Sequence, residues 1–126
     1  MSTTILLIRH GETAWNAGRR LQGHIDIALN EAGLAQAAAL GQALADEPLA
    51  AIIASDLQRA QQTAQAVLKR IDADSLSAVV ADERLREKEF GILDRLTVHG
   101  IASKYPELHE QRQHVGKFYF RPPGGE

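Results

Sequence analysis

The sequence predicts an α/β fold in which a mostly parallel β-sheet is flanked by helices. Residues 5–8 (ILLI) form an apolar run without polar alternation, which is typical of a strand buried on both faces. Two further apolar runs, residues 49–54 and 77–81, are predicted as the second and third strands. Helical patterns separate the runs, and strands that alternate with helices favour right-handed parallel connections.

The first two helices are predicted from spacing and from their N-caps. Asn30 is the predicted N-cap of a helix that runs to about residue 46. Ser55, followed three residues later by Gln58, matches a capping box in front of a helix over residues 56–70.

The remaining segments are less regular. A helix is predicted over residues 97–104, with a stop at Tyr105-Pro106. Residues 9–30 have no clean period and are predicted as a long loop with one helical turn, a length that indicates function. Residues 111–126 have no helical or strand period.

Composition limits the classes of protein and partner. The 126 residues correspond to one domain, and 44% hydrophobic with 24% charged residues is typical of a globular chain. The net charge of −2 and the absence of a lysine-rich run argue against a nucleic-acid partner. The chain has no cysteine, which excludes disulfides and thiolate chemistry. Residues 5–8 are too short for a signal peptide core or a membrane span, so we expect a cytoplasmic protein without a membrane partner.

Charged side chains follow each predicted strand. His10 lies two residues past the first strand with Arg9 beside it, Arg59 lies five past the second, and Glu87 about six past the third. Ligands of open parallel sheets bind beyond the carboxyl ends of the strands. The N-terminus of the helix near Ser55 adds free N–H groups there. This combination predicts an anion site, with phosphate as the obvious anion.

Each of these side chains also has a structural interpretation. A single histidine after a strand is more often a hydrogen-bonded structural residue. Arg59 lies opposite the apolar stripe of its helix, which is typical of a solvated surface arginine. Glu87 belongs to a charged run over residues 82–89, which is typical of a solvated loop. From the residues alone, the pattern indicates a site more securely than a reaction.

Residues 7–13 (LIRHGET), followed by Trp15 and Asn16, resemble the RHG signature of the histidine phosphatase superfamily, which includes the cofactor-dependent phosphoglycerate mutases. The resemblance continues in the expected order over nearly the whole chain, through residues 21–23, 26–29, 32–37, 55–64, 85–91, 105–107 and 123–126. It implies a phosphoglycerate mutase-like three-layer sandwich that forms a single domain over residues 1–126.

The resemblance implies a phosphomonoester hydrolase that acts on small phosphorylated metabolites through a phosphohistidine. His10 would be the nucleophile, neutral and with one ring nitrogen bare, and Glu87 would exchange protons with the leaving group and water. The phosphoryl oxygens would be bound by Arg9, Asn16 and Arg59.

Thr13, Gln22 and Gly23 are similar to positions that line the substrate pocket in the family. The pattern requires no metal and no other cofactor. Residues 9–13 and 55–63 resemble the phosphatase branch more than the glycolytic mutases, and a cofactor-dependent phosphoglycerate mutase is the alternative.

The chain departs from the family pattern in two places. The family carries a second histidine in a late His-Gly motif beyond the segment that resembles residues 123–126, so we expect the domain to be C-terminally incomplete. His99, in the other His-Gly pair, is predicted as an exposed helical residue. Residues 92–95 also replace the usual Trp-Glu-Gly. Three alternatives therefore stay open for the chain. It could be a catalytically impaired fragment that binds phosphate esters, or an interaction fragment without a site. It could also form a homodimer that covers exposed apolar surface.

Overall fold

The computed structural model describes residues 2–72 and 74–126. Within these ranges the helices and strands are α1 (Ala14–Ala17), α2 (Glu31–Ala43), β1 (Ile53–Ala54), α3 (Gln58–Leu68), β2 (Val80–Ala81), α4 (Val98–Lys104) and α5 (Pro106–Val115). Two 3₁₀ turns, Glu83–Leu85 and Gly91–Leu93, lie between β2 and α4. Strands β1 and β2 pair in parallel and α3 connects them, so the predicted α/β class is confirmed.

The predicted strand over residues 5–8 is wrong. The segment belongs to no β-ladder and makes no backbone hydrogen bond to the described part of the chain. The side chains of Ile5 and Leu7 are 81% and 96% exposed. An apolar run becomes a strand only where a neighbour pairs with its N–H and C=O groups, and here no neighbouring segment does so. The apolar pattern of residues 5–8 therefore favours burial, but these side chains are not buried in this structure.

The other two predicted strands are present only at their carboxyl ends. Residues 49–54 form a strand at Ile53–Ala54, and residues 77–81 form one at Val80–Ala81. The ladder extends by one bond on each side, because Val80 N–H donates to Ile52 O at 2.9 Å and Asp82 N–H donates to Ala54 O at 2.8 Å. These carboxyl ends lead into the segments that carry the candidate site.

The N-cap of α2 is confirmed, and the capping box proposed for α3 is wrong. Asn30 accepts a 2.8 Å hydrogen bond from Gly33 N–H. Helix α3 begins at Gln58, because Leu57 keeps an extended backbone. The Gln58 N–H donates to Asp26 Oδ1 at 2.7 Å, so the cap comes from a loop more than thirty residues away rather than from Ser55.

Helix α4 matches the predicted segment, whereas α5 contradicts the prediction that residues 111–126 lack regular structure. Pro106 occupies the first turn of α5 and Glu107 follows it, a favourable start for a helix. Leu108 of α5 packs against the cluster that contains Ile101. Tertiary packing therefore stabilises a helix whose own apolar pattern is weak.

Most buried apolar side chains of the described residues lie in two places. Helices α2 and α3 pack closely, since a Cβ added to Gly41 would lie 2.4 Å from the Ala66 carbonyl oxygen. The second place is the cluster of Leu93, Ile101 of α4 and Phe120, against which Leu108 of α5 packs. In residues 2–72 and 74–126, no helix is long and apolar enough to cross a membrane.

Candidate active site

The ring of His10 is held by the backbone of the next residue. His10 Nδ1 lies 2.6 Å from the Gly11 carbonyl oxygen. A carbonyl oxygen only accepts, so Nδ1 carries the hydrogen and the neutral ring has its lone pair on Nε2. Burial is the main cause that lowers the pKa of His10, and the charges of Arg59 and Arg9 lower it further, against the Gly11 hydrogen bond and Glu87. The ring is therefore kept neutral at neutral pH.

The turn that carries His10 packs directly on the first turn of α2. A Cβ added to Gly11 would lie 2.5 Å from Gly33 O, and one added to Gly33 would lie 2.0 Å from Glu12 O. No side chain fits between these two backbones. On the other side, Gly11 N–H donates to Thr63 Oγ1 of α3 at 3.0 Å.

Arg59 is buried, which excludes the interpretation that it is a solvated surface arginine. Its exposed fraction is 2%. The guanidinium donates from Nη1 to Ile25 O and from Nη2 to Gly23 O, each at 2.7 Å. Nη2 also lies 3.4 Å from Glu87 Oε2. Burial lowers the pKa of Arg59 while Glu87 and Asp26 raise it, and a guanidinium stays charged in such a setting.

Gly23 is buried in a conformation with φ of +55°. A Cβ at this position would lie 2.9 Å from Asp94 Oδ1 and 3.2 Å from Lys88 O. The close packing and the positive φ both explain why glycine is needed here. The residue predicted to line the substrate pocket thus also directs its carbonyl at Arg59.

Glu87 lies beyond the 3₁₀ turn Glu83–Leu85, and its side chain is 43% exposed. Its neighbours are fixed at two points. Arg86 forms a two-point ion pair with Asp56, with distances of 2.7 Å and 2.5 Å. Further along, Glu126 N–H donates to Glu89 O at 3.0 Å. The carboxylate is therefore solvated on one side, as a loop residue would be, but lies on a backbone that is held in place.

Thr13, Asn16 and Gln22 form one polar network. Thr13 is fully buried and is the N-cap of α1, where Asn16 Oδ1 accepts its backbone N–H. The Thr13 hydroxyl lies 2.9 Å from Asn16 Oδ1 and 2.6 Å from Gln22 Oε1, and its single hydrogen can go to only one of them. Because the amide oxygens of both residues face Thr13, their NH₂ groups are the ends that can donate to a ligand.

Arg9 is exposed and makes no side-chain hydrogen bond or ion pair within the described residues. Its charge nevertheless contributes to the lowered pKa of His10, its neighbour in the chain. His99 is exposed on α4, as expected from the sequence. In residues 2–72 and 74–126, no cluster of three or more metal-ligating side chains is found.

Sequence reasoning missed the supporting roles of Thr63 and Asp26. Thr63 lies four residues after Arg59 in the helical segment, a spacing that puts both on one face and could have suggested the link. The Asp26 cap had no local signal, because it acts on the distant Gln58.

Comparisons with known proteins identify the family of the chain. The family model of the histidine phosphatase superfamily (branch 1) matches residues 5–126. A relative from Yersinia pestis, named "Probable phosphoglycerate mutase GpmB", is 40% identical over 124 residues, which is 97% of this chain and 54% of the relative.

Solved structures of similar proteins also match the chain over most of its length. A mycobacterial glucosyl-3-phosphoglycerate phosphatase in complex with VO₃ is 36% identical, with a TM-score of 0.76 over 93% of this chain and 55% of that one. Bacillus stearothermophilus YhfR is 35% identical, with a TM-score of 0.76 over 94% of this chain and 56% of that one. The chain thus spans about half the length of these relatives. It belongs to the histidine phosphatase superfamily.

Proposed function

We propose that this chain carries the catalytic centre of a phosphatase that hydrolyses small phosphate monoesters through a phosphohistidine at His10. One observation carries the proposal: Nδ1 of His10 donates to Gly11 O at 2.6 Å, which leaves Nε2 bare. The buried guanidinium of Arg59 contributes to the lowered pKa of this ring. A neutral nucleophile beside a fixed cation is what attack on a phosphate ester requires.

In the first step, His10 Nε2 attacks phosphorus and the bond from phosphorus to the ester oxygen breaks. Glu87, in its protonated form, donates its proton to the departing alkoxide. The products are the free alcohol, a phosphohistidine and the Glu87 carboxylate. The partial exposure of Glu87 supports this role, because the group can exchange protons with solvent.

In the second step, water attacks the phosphorus of the phosphohistidine. The Glu87 carboxylate takes a proton from the water as the bond from phosphorus to Nε2 breaks. Inorganic phosphate leaves, and both side chains return to their starting states. The guanidinium of Arg59 and, in the same role, that of Arg9 would balance the charge on the nonbridging oxygens, with the Asn16 NH₂ as a further donor.

A phosphoglycerate mutase is the second candidate, favoured by the names of the Yersinia relatives. A mutase would return the phosphoryl group from His10 to a second hydroxyl of the sugar acid, whereas a phosphatase gives it to water. The phosphatase is preferred because residues 9–13 and 55–63 resemble the phosphatase branch, and a solved relative that is 36% identical is a glucosyl-3-phosphoglycerate phosphatase. Small phosphorylated metabolites are the proposed substrates.

The test is phosphoenzyme trapping. The purified chain is mixed with a ³²P-labelled phosphomonoester and quenched in alkali, where phosphohistidine survives and acyl phosphate does not. We expect label on wild type and on His99→Ala, and none on His10→Ala. His99 is the matched control, since it is an exposed histidine outside the site. Label that persists in His10→Ala would contradict the proposal.

Product analysis then separates the two reactions. The phosphatase is supported if inorganic phosphate is released from 3-phosphoglycerate or another monoester, and if the rate of release depends on which alcohol leaves. Conversion of 3-phosphoglycerate to 2-phosphoglycerate without phosphate release supports the mutase. Binding of vanadate without label transfer would assign the chain to the phosphate-ester binders that lack turnover.

A further inference from the structure

The hydroxyl of Thr63 lies between the turn that carries His10 and the helix that carries Arg59. We propose that Thr63 is a positioning residue that fixes the orientation and tautomer of the His10 ring, an inference that rests on the proposed role of His10 as nucleophile. Thr63 would act through the backbone of Gly11 and touch neither substrate nor the reacting atoms.

Both hydrogen-bonding functions of the hydroxyl are used. Thr63 is 5% exposed. Its Oγ1 accepts from Gly11 N–H at 3.0 Å and donates to Arg59 O at 2.8 Å. The second bond runs to the residue one turn earlier in α3, so the hydroxyl has a fixed direction. One side chain therefore joins the nucleophile turn to the helical turn of the phosphate-binding arginine.

Gly11 transmits this constraint to the imidazole. The N–H of Gly11 is held by Thr63, and its C=O accepts from His10 Nδ1 at 2.6 Å. Glycine alone has wide conformational freedom, so its carbonyl needs an external constraint to keep one direction. Gly33 closes one side, because its carbonyl oxygen would lie 2.5 Å from a Cβ on Gly11. Thr63 supplies the constraint on the other side.

Replacement of Thr63 by valine keeps the size and β-branching of the side chain but removes the hydroxyl. The buried Gly11 N–H is then unpaired, which destabilises this arrangement of the turn. A small rotation of the Gly11 peptide groups would relieve that cost and turn the carbonyl away from His10. The ring would lose the partner that selects the Nδ1–H form, and both neutral tautomers would be populated.

The same change would affect the titration of His10. The Gly11 hydrogen bond favours the charged ring, while burial, Arg59 and Arg9 favour the neutral ring and Glu87 opposes them. Loss of the hydrogen bond leaves the other influences in place. The pKa of His10 should therefore be lower still in Thr63→Val than in the wild-type chain.

The test is ¹⁵N NMR of the imidazole rings in the full 126-residue chain, with the His10 signals assigned from His10→Ala. We expect the Nδ1–H form in wild type and in Thr63→Ser, which keeps the hydroxyl, and a mixture of tautomers in Thr63→Val. Amide exchange of Gly11 should be about tenfold faster in Thr63→Val, as for the loss of one buried hydrogen bond.

Val67→Ala is the control for stability alone, because Val67 is buried on the same helix and is 4% exposed. It should lower the melting temperature and leave the tautomer of His10 unchanged. A His10 ring that keeps a pure Nδ1–H form in Thr63→Val, or loses it in Thr63→Ser, overturns the proposal. Should Thr63→Val not fold, Thr63→Ala, which also removes the hydroxyl, takes its place, with Val67→Ala as the control for lost packing.

The readout does not depend on turnover. If the wild-type chain forms no phosphohistidine, the proposed function fails while the tautomer comparison stands. If the wild-type chain is labelled, Thr63→Val should slow phosphorylation about 10–100-fold, through the loss of correct nucleophile geometry. Its Kd for vanadate should change far less, because the guanidinium of Arg59 keeps its bonds to Gly23 and Ile25.

Discussion

Arg59 Nη2 lies 3.4 Å from Glu87 Oε2, so the buried cation and the solvated carboxyl of the site are in contact. The pairing leaves the other face of the Glu87 carboxyl open to solvent and to a leaving group. A proton donor in such a position matters most when the alkoxide that leaves is a strong base.

Glu87→Gln should therefore slow hydrolysis of alkyl phosphates by about 10²–10⁴-fold, and that of nitrophenyl phosphate much less. The measurement is kcat/KM for a series of esters graded by the pKa of the alcohol. Glu83→Gln, an exposed neighbour in the 3₁₀ turn, is the control and should resemble wild type. Equal losses across the series would remove the general-acid role from Glu87.

Arg59→Ala should weaken phosphate binding and phosphoryl transfer together. Each charge-assisted hydrogen bond contributes about 1.5–3 kcal/mol, so loss of one phosphate contact corresponds to about a 10–150-fold rise in the Kd for vanadate. The variant also leaves the carbonyls of Gly23 and Ile25 without their donor. Binding is measured by titration, with Arg70→Ala, an exposed arginine beyond α3, as the control. Wild-type affinity in Arg59→Ala would show that the guanidinium does not contact the ligand.

The sequence predicted the fold class and the main residues of the candidate site, but not the pairing of every strand or the burial of every side chain. The α/β class followed from alternating apolar runs and helical patterns, and His10 and Arg59 followed from their places after the first and second of these runs. The strand over residues 5–8 could not be judged locally, because pairing depends on what lies beside it. The burial of Arg59 was equally hidden, since its acceptors, Gly23 O and Ile25 O, lie in a loop without sequence periodicity.

Supporting contacts were the least predictable part of the site. The Asp26 cap on Gln58 joins residues that are far apart in the chain, and no local pattern encodes it. Helix α5 was not predicted for a related reason. It is stabilised by the packing of Leu108 against the cluster that contains Ile101, rather than by an amphipathic pattern.

Gly91→Ala should destabilise the chain and loosen the segment that follows Glu87. Gly91 has φ of +57°, and a Cβ there would lie 2.2 Å from the Pro123 carbonyl oxygen, which accepts from Ile92 N–H. We expect a loss of about 1–3 kcal/mol from backbone strain, with a further loss from the steric clash. Urea unfolding measures the total, and amide exchange at Ile92 reports the local opening.

Gly116→Ala separates the two causes. Gly116 also has a positive φ, of +91°, but nothing lies within 4 Å of its added Cβ. This variant carries backbone strain without a steric clash and lies away from the Pro123 contact, so amide exchange at Ile92 should be unchanged in it. Equally fast exchange at Ile92 in both variants would show that the Pro123 contact is not the cause of the local opening.

Asp94→Asn should stabilise the chain at neutral pH. Oδ1 of Asp94 is buried without a hydrogen-bond partner, and burial is the main cause that raises its pKa, with Glu89 adding to it. The folded chain therefore holds the Asp94 proton more tightly than the unfolded chain, so its stability falls as pH rises through the raised pKa. We expect a melting temperature higher by about 2–5 °C at pH 7, and a gain that shrinks towards the ordinary value of 3.8. Asp46→Asn, an exposed control, should change little at either pH.

The last prediction concerns His10 itself. Its pKa in the folded chain lies below the ordinary value of 6.5, chiefly because of burial. Between the two values the unfolded chain binds a proton that the folded chain does not, so the free energy of unfolding must fall as pH falls through this window and stay level above it. His10→Gln removes that dependence. Urea unfolding from about pH 7 to about pH 5 should therefore show a shallower decline for His10→Gln than for wild type or His99→Gln. If the free energy of unfolding declined in parallel for all three proteins, the folded protein would protonate His10 as readily as the unfolded chain does. The surroundings of the ring would then not lower its pKa.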